Sequence, residues 1–333
     1  SSLDDASVQL VVTSPPYPMI EMWDDAFAAM DPNIGEALAQ EDGRLAFERM
    51  HQALDQVWAE CFRLLRPGGL ACINIGDATR TMGGDFRLYP NHARILSSMM
   101  AIGFDVLPDI LWRKPTNAPN KFMGSGMLPA GAYVTYEHEY ILVARKGGKR
   151  VFRTEADRIR RRQSAFFWEE RNLWFSDLWV DLLGTQQKLG KGRSRSAAYP
   201  FELPYRLINM FSAYGDTVLD PFVGTGTTMA AALTAGRSSI GIDRLEELAD
   251  VVEATMRHAS AEASDVVRAR LERHRAFVAQ RLGSGKVLKH HNGPHDLPVV
   301  TAQEQILEIA VPFDLQLRGK NLFEARHQRF GCE

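Results

Sequence analysis

Cysteine is scarce: Cys61, Cys72 and Cys332 are three thiols in 333 residues. An odd count without metal-ligand spacing excludes a disulfide framework and a zinc ribbon, and the expected location is a reducing cytoplasm. Apolar runs are short as well. None approaches the roughly 18 residues that span a bilayer, and no basic-then-apolar signal pattern opens the chain, so no membrane is expected. Internal repeats and low-complexity tracts are missing, which excludes a solenoid or a long linker. Net charge is only −2, so any nucleic-acid surface must come from local charge. What remains is 45% hydrophobic and 24% charged, the balance of one large α/β domain with insertions, or of two domains.

The most informative stretch lies near the start. Val8-Gln9-Leu10-Val11-Val12 is β-branched and apolar and reads as a buried parallel strand. It runs into Thr13-Ser14-Pro15-Pro16-Tyr17-Pro18, whose prolines have no N–H for a ladder and end the strand in a stiff turn. Open α/β sheets place ligands at such strand ends. The Ser14 hydroxyl, the Pro15 carbonyl and the flat Tyr17 ring together suit a planar group carrying an exocyclic amine. The ring face, and not the Tyr17 hydroxyl, is expected to do the holding.

Helical spacing of Phe47, Met50, Leu54, Val57, Trp58, Cys61 and Leu64 predicts a helix over 45–65, stopped by Arg66-Pro67-Gly68-Gly69. A buried strand, 70–75, follows, with Asn74-Ile75-Gly76-Asp77 at its end; Asp77 is read as a turn cap in preference to a site residue. Further predictions are a helix at 89–100, a strand at 104–112, an antiparallel strand at 139–145 that ends the catalytic half, a helix from Tyr199 to Tyr214, and a long amphipathic helix over 245–282. For 19–30, an active-site lid and a plain connector both stand. Near the far end, the strand 217–220 enters Asp220-Pro221-Phe222-Val223-Gly224-Thr225-Gly226-Thr227-Thr228. Its glycines allow close backbone approach, and the next helix presents free N–H groups to an anion. Asp243 closes the following strand, where an acid accepts ribose hydroxyls or caps a helix.

The Ser-Pro-Pro-Tyr turn resembles the catalytic motif of the amino-methylating DNA methyltransferases, and the Asp-Pro-Phe-x-Gly-x-Gly-Thr-Thr segment resembles their S-adenosylmethionine loop. Catalytic motif first and cofactor motif last, roughly 200 residues apart, is the order of that family's β group. The resemblance implies a circularly permuted, Rossmann-like α/β methyltransferase fold with an inserted target-recognition region. It implies catalysis by Ser14, Pro15, Pro16 and Tyr17. Cofactor contacts are expected from Thr13, Tyr199, Pro200, Asp220, Pro221, Phe222, Gly224, Gly226, Thr227, Thr228 and Asp243. It also implies that Trp112 and Lys114 line the target-base pocket. The chain departs from the pattern where members carry His-Pro ahead of the Tyr-Pro pair, having Arg195-Ser196 there. Ser in the motif's first position is associated in this family with N4 of cytosine; N6 of adenine is the alternative. RNA and protein-glutamine methyltransferases carry Asn-Pro-Pro-Tyr downstream of the cofactor loop, the reverse order, and an inactive DNA-binding relative is disfavoured by the intact motif pair.

Between Lys146 and Ser196 stand thirteen Lys or Arg against six acids, interleaved with Phe166, Phe167, Trp168, Trp174, Phe175 and Trp179. Such a stretch suits phosphate neutralisation, and Arg158, Arg160, Arg161, Arg162, Lys188, Lys191, Arg193 and Arg195 are the expected contacts to double-stranded DNA. The expected organisation is a catalytic half (1–146), a recognition insert (147–196), a cofactor half (197–282) and a C-terminal extension of unassigned role (283–333). His290, His291 and His295 lack the partners and spacing of a metal site. A companion restriction endonuclease is a possible partner, and monomer and homodimer are both open.

Overall fold

The structure is a computed structural model that describes residues 3–114, 123–184 and 199–331. Strand β1 (Val8–Thr13) is buried along its whole length. It lies between two parallel neighbours and therefore needs apolar side chains on both faces. Three helices follow. They are α1 (Asp24–Ala28), α2 (Pro32–Ala39) and α3 (Gly43–Leu64). Asp31 and Asp42 cap the latter two by accepting from Asn33 N and Leu45 N, each at 3.0 Å. Met50, Leu54, Trp58, Cys61 and Leu64, at the spacing read from the sequence, form the buried face of α3 together with Ala46, while Phe47 and Val57 pack at its border only partly buried.

Strand β2 (Leu65–Ile75) begins directly, and its Gly68 has φ +82°. A Cβ there would lie 2.5 Å from Arg150 N, so only glycine fits. The hairpin β3 (Ala78–Met82) and β4 (Asp85–Tyr89) leads into α4 (Asn91–Ile102). The single strand predicted for 104–112 is two, β5 (Phe104–Val106) and β6 (Ile110–Arg113). Pro108 between them has no N–H and breaks the ladder. After the short ribbon β7 (Met123–Gly124) and β8 (Ala132–Tyr133) comes β9 (His138–Lys146), antiparallel to both β2 and β6.

The basic segment forms α5 (Glu155–Gln163), α6 (Trp168–Trp174) and β10 (Leu178–Trp179). Next come α7 (Glu202–Phe211), β11 (Thr217–Asp220), α8 (Thr227–Thr234), β12 (Ser238–Gly241) and α9 (Ala249–Gly283). The tail adds β13 (His290–Asn292), β14 (Leu297–Val299), β15 (Ala310–Gly319) and β16 (Leu322–Arg329), paired as two hairpins.

The main sheet runs β10-β6-β9-β2-β1-β11-β12, with β5 beside β9. Strands from the far end of the chain thus extend the sheet beyond β1. Because β2, β1, β11 and β12 are parallel, Ile75, Thr13, Asp220 and Gly241 end on one carboxyl edge. The antiparallel β9 starts at that same edge. One core covers each face of the sheet. Val8 and Val11 enter the first, while Leu10 and Val12 enter the second. A register shift between Val8 and Leu10 explains why alternation holds only beyond it.

A third core joins Phe167 of the insert to Val267 and Leu271 of α9 and to Leu297, Val299, Leu307, Ile309 and Val311 of the tail. At its border Arg270 and Glu170 pair through two hydrogen bonds of 2.6 and 2.8 Å. Insert, long helix and tail therefore pack as one lobe. His295 belongs to this packing, its Nε2 accepting from Ile309 N at 2.8 Å.

Candidate active site

The turn after β1 is held from below. Asn91 donates to the carbonyls of Pro18 (3.1 Å) and Gly76 (2.9 Å), tying the turn to the loop after β2. Burial holds His51 neutral, with a pKa of about 4, and its Nε2 bonds Asn91 Oδ1 at 3.0 Å. Met19, buried just after the turn, adopts φ +67°, a costly conformation for a non-glycine residue and one that recurs at functional sites. Segment 19–30 is more than a loose connector. Arg80 grips Asp24 with two bonds, and Arg244 donates to Ala26 O. Asp77 proves to be a cap, accepting from His92 N at 3.0 Å at the start of α4.

On the open side, Ser14 Oγ lies 3.2 Å from the Tyr17 hydroxyl, which donates to Glu139 Oε2 at 3.0 Å. Asn74 Nδ2 donates to both Tyr17 Oη (2.9 Å) and Glu139 Oε2 (2.7 Å). Lys114 Nζ reaches Glu139 Oε1 at 2.7 Å. Burial, and then the Glu139 charge, push the Tyr17 phenol well above its ordinary value, so it remains a protonated donor. Gly76 leaves room for the ring, since a Cβ there would sit 3.1 Å from Tyr17. Glu139 and Asn74 were not singled out from the sequence. The available signal was that an acid opening an antiparallel strand arrives at the carboxyl edge.

A second network lies beside the first. The buried Asp220 carboxylate accepts from Thr13 Oγ1 (2.6 Å), Phe222 N (3.0 Å) and Thr228 Oγ1 (2.5 Å), and Tyr199 bonds Thr228 in turn. These bonds brace β1, β11 and α8 together. Burial outweighs the three donors and raises the Asp220 pKa to about 6. Gly226 turns the chain into α8 at φ +87°. Asp243 accepts from Gly224 N and Leu245 N, each at 3.0 Å, so it caps the next turn while keeping lone pairs free. It lines a cavity of about 360 Å³ with Val223, Met229, Leu245 and Val252. Asn321 and Phe323 of the C-terminal hairpin line it too, a contribution of the tail that no local pattern announced.

The expected DNA contacts divide. Trp112 is corrected: it is 1% exposed, sits in the second core and donates Nε1–H to Leu182 O at 2.9 Å, so its face is closed to a base. Lys114 does reach the turn, through Glu139. Arg158, Arg160, Arg161 and Arg162 stand on α5, and α5 lies at the opposite edge of the sheet. Arg160 lines a cleft with Ser7, Gln9 and Thr217, at the amino ends of β1 and β11, and Ser164 Oγ accepts from Tyr214 N. Arg158 and Arg160 also pair with Glu155 and Asp157 on their own helix. Lys188, Lys191, Arg193 and Arg195 lie outside the described residues. Substituting Gln at Arg160, Arg161 and Arg162 together is expected to leave the salt dependence of duplex binding unchanged. A slope reduced by about one per lost phosphate contact would return DNA to this face.

A parallel-centred sheet with a buried acid before a glycine loop on one strand, and a hydroxyl-bearing proline turn on its neighbour, defines a permuted nucleoside-cofactor methyltransferase core. Comparison with known proteins gives the family. A family model described as DNA methylase, of the N6/N4 methyltransferase type, matches residues 8–254. The chain is 49% identical over 331 residues to the type II methyltransferase M.MthZI of Methanothermobacter thermautotrophicus, covering 98% of this chain and 92% of that one. It is 49% identical over 262 residues to the type II methyltransferase M.MjaI of Methanocaldococcus jannaschii, covering 75% of this chain and 86% of the relative. Among solved structures it is similar to TTHA0409 of Thermus thermophilus complexed with S-adenosyl-L-methionine. Identity there is 34% and the TM-score 0.59, with 78% of this chain and 90% of the other covered. The chain belongs to the amino-methylating DNA methyltransferases, and its cofactor is S-adenosylmethionine.

The residues present fit that cofactor. Asp243, which lines the cavity, has lone pairs that would accept ribose hydroxyls, Val223 and Val252 would supply apolar walls beside it, and the buried Asp220 would brace the loop from behind. If, as the family resemblance implies, the Asp220 carboxylate pairs with the methionine ammonium, cofactor affinity is expected to fall about tenfold per pH unit below pH about 6, where that carboxylate is protonated. The sign for the empty fold is opposite. A carboxyl raised from 3.8 to about 6 destabilises the fold as pH rises through that window, by about 3 kcal/mol in all. Calorimetric titration from about pH 4.5 to about pH 8 checks the binding arm, with about 1.5 pH units on the sloping side and the rest on the plateau. A flat profile in the wild type, identical to that of Asp220→Asn, would contradict it.

Proposed function

We propose that the chain transfers a methyl group to the exocyclic N4 of a cytosine flipped out of duplex DNA. The observation that carries the reading is the Ser14 hydroxyl at the carboxyl end of β1, 3.2 Å from the Tyr17 hydroxyl and beside the cofactor network. An exocyclic amine is a poor nucleophile because its lone pair is delocalised into the ring. Ser14 Oγ and the Pro15 carbonyl accept its two hydrogens, favouring a pyramidal nitrogen with the pair directed at the donor. When bound, S-adenosylmethionine supplies the electrophilic methyl. Tyr17 stacks on the extruded base, replacing part of the stacking lost from the helix. Catalysis is positioning plus electrostatics. Burial pushes the thiols of Cys61 and Cys72 up, Cys61 to about 12, so neither is a nucleophile.

Serine in the motif's first position supports cytosine over adenine through the family resemblance. The duplex is proposed to lie along the carboxyl edge, where Arg113 and Lys114 stand. The type II names of the relatives support a companion endonuclease. A methyl-acceptor assay with labelled cofactor on duplex DNA, RNA and protein tests the substrate class. Label in duplex DNA supports the reading, and label only in RNA or protein would overturn it.

A further inference from the structure

Resting on the reading of Ser14 as the amine's acceptor, we infer that Glu139 is the terminal proton acceptor of methyl transfer, reached from the amine through Ser14 and Tyr17. The chain of hydrogen bonds has one direction only. Asn74 Nδ2 is a pure donor and gives to both Tyr17 Oη and Glu139 Oε2. Tyr17 has a single proton, and it goes to Glu139 at 3.0 Å. The Ser14–Tyr17 contact of 3.2 Å must then run from Ser14 O–H to Tyr17 Oη. That leaves the lone pairs of Ser14 facing outward, where the amine arrives. Lys114, 2.7 Å from the other Glu139 oxygen, fixes the carboxylate at the end of the line.

The step balances. The nitrogen lone pair forms the N–C bond as the C–S bond breaks, and sulfur keeps that electron pair and becomes a neutral thioether. The nitrogen now bears a positive charge and one proton too many. It passes that proton to Ser14 Oγ, Ser14 passes its own to Tyr17, and Tyr17 passes its own to Glu139. A neutral secondary amine and a neutral carboxylic acid remain. The acid side chain is 14% exposed and returns its proton to solvent between turnovers. Tyr17 serves only as a relay, because its raised pKa keeps it from acting as a base. Its hydroxyl therefore matters, contrary to the expectation that only its ring does.

Glu139→Gln keeps the shape and the Lys114 contact while removing the acceptor. The expected result is single-turnover methyl transfer slowed about 100-fold or more, with cofactor affinity unchanged and a rate that rises with pH where the wild type is level. Tyr17→Phe should show the same pH dependence, and the double variant should be no slower than either single one, because all three interrupt one path. Glu139→Asp should restore part of the rate. An active wild type matched within threefold by Glu139→Gln would overturn the inference alone, as would a loss confined to cofactor or DNA affinity (a binding role, not a proton path). A wild type that methylates no exocyclic amine would overturn the proposed function and this inference with it.

Discussion

Replacing Ser14 by Ala is expected to slow single-turnover methyl transfer about 100-fold while leaving S-adenosylmethionine affinity within about twofold of wild type. The two halves of the prediction follow from two separate networks. Among the described residues Ser14 Oγ bonds the Tyr17 hydroxyl, which leads on to Glu139, whereas the brace beside the glycine loop runs through Thr13, Asp220, Thr228 and Tyr199. The hydroxyl is half-buried at the end of an otherwise buried strand, so its loss leaves no cavity in the core and the fold should keep its melting temperature. On the proposed mechanism, what is lost is an acceptor where charge develops on nitrogen, together with the first member of the path to Glu139. Stopped-flow or quench measurement of the methyl-transfer step, paired with calorimetry of cofactor binding, checks it. A rate within threefold of wild type would remove Ser14 from the chemistry, and a matching fall in cofactor affinity would make it a binding residue.

The largest expected effect on stability lies far from the turn. Arg270→Leu should destabilise the protein by about 3–5 kcal/mol, a melting shift on the order of 10 °C. Arg270 is 3% exposed, bonds both oxygens of Glu170 and stacks its guanidinium 5.2 Å from the Trp174 ring centroid. Glu170 also accepts from Phe167 N at 2.9 Å, so it is fixed in place and would be left as an uncompensated buried charge. Converting both partners to Met should restore much of the loss, because no lone charge then remains. Differential scanning calorimetry of the single and double variants checks both statements. A shift under about 2 °C for Arg270→Leu would show that insert and tail do not depend on this pair.

The parts of the fold legible in the sequence are those whose cause is local. β1 and its proline turn, the amphipathic spacing of α3, the glycine loop before α8 and the length of α9 all depend on residues adjacent along the chain. The parts that were not legible depend on long-range placement. Glu139 looks like a polar residue opening a strand, and only the antiparallel pairing of β9 with β2 brings it to Tyr17, 122 residues away. The arginines of α5 carry the right charge, yet the contact between Ser164 and Tyr214 sets their helix at the amino edge. Trp112 has the right chemistry for a base pocket, but strand alternation turns it into the core. The tail shows no motif because its role comes from contacts with Phe167, α9 and the cavity at Asp243.

The central claim is that this site methylates an exocyclic amine without any enzyme nucleophile. The most direct measurement is mass spectrometry of nucleosides from duplex DNA methylated by the wild type with a deuterated methyl donor. The account predicts deuterated N4-methylcytosine, with the signal strongly reduced for Ser14→Ala. N6-methyladenine would keep the mechanism and overturn the base assignment. Deuterated 5-methylcytosine would contradict the account outright, since methylation at carbon requires a covalent nucleophile that neither Ser14 nor the buried thiols provide.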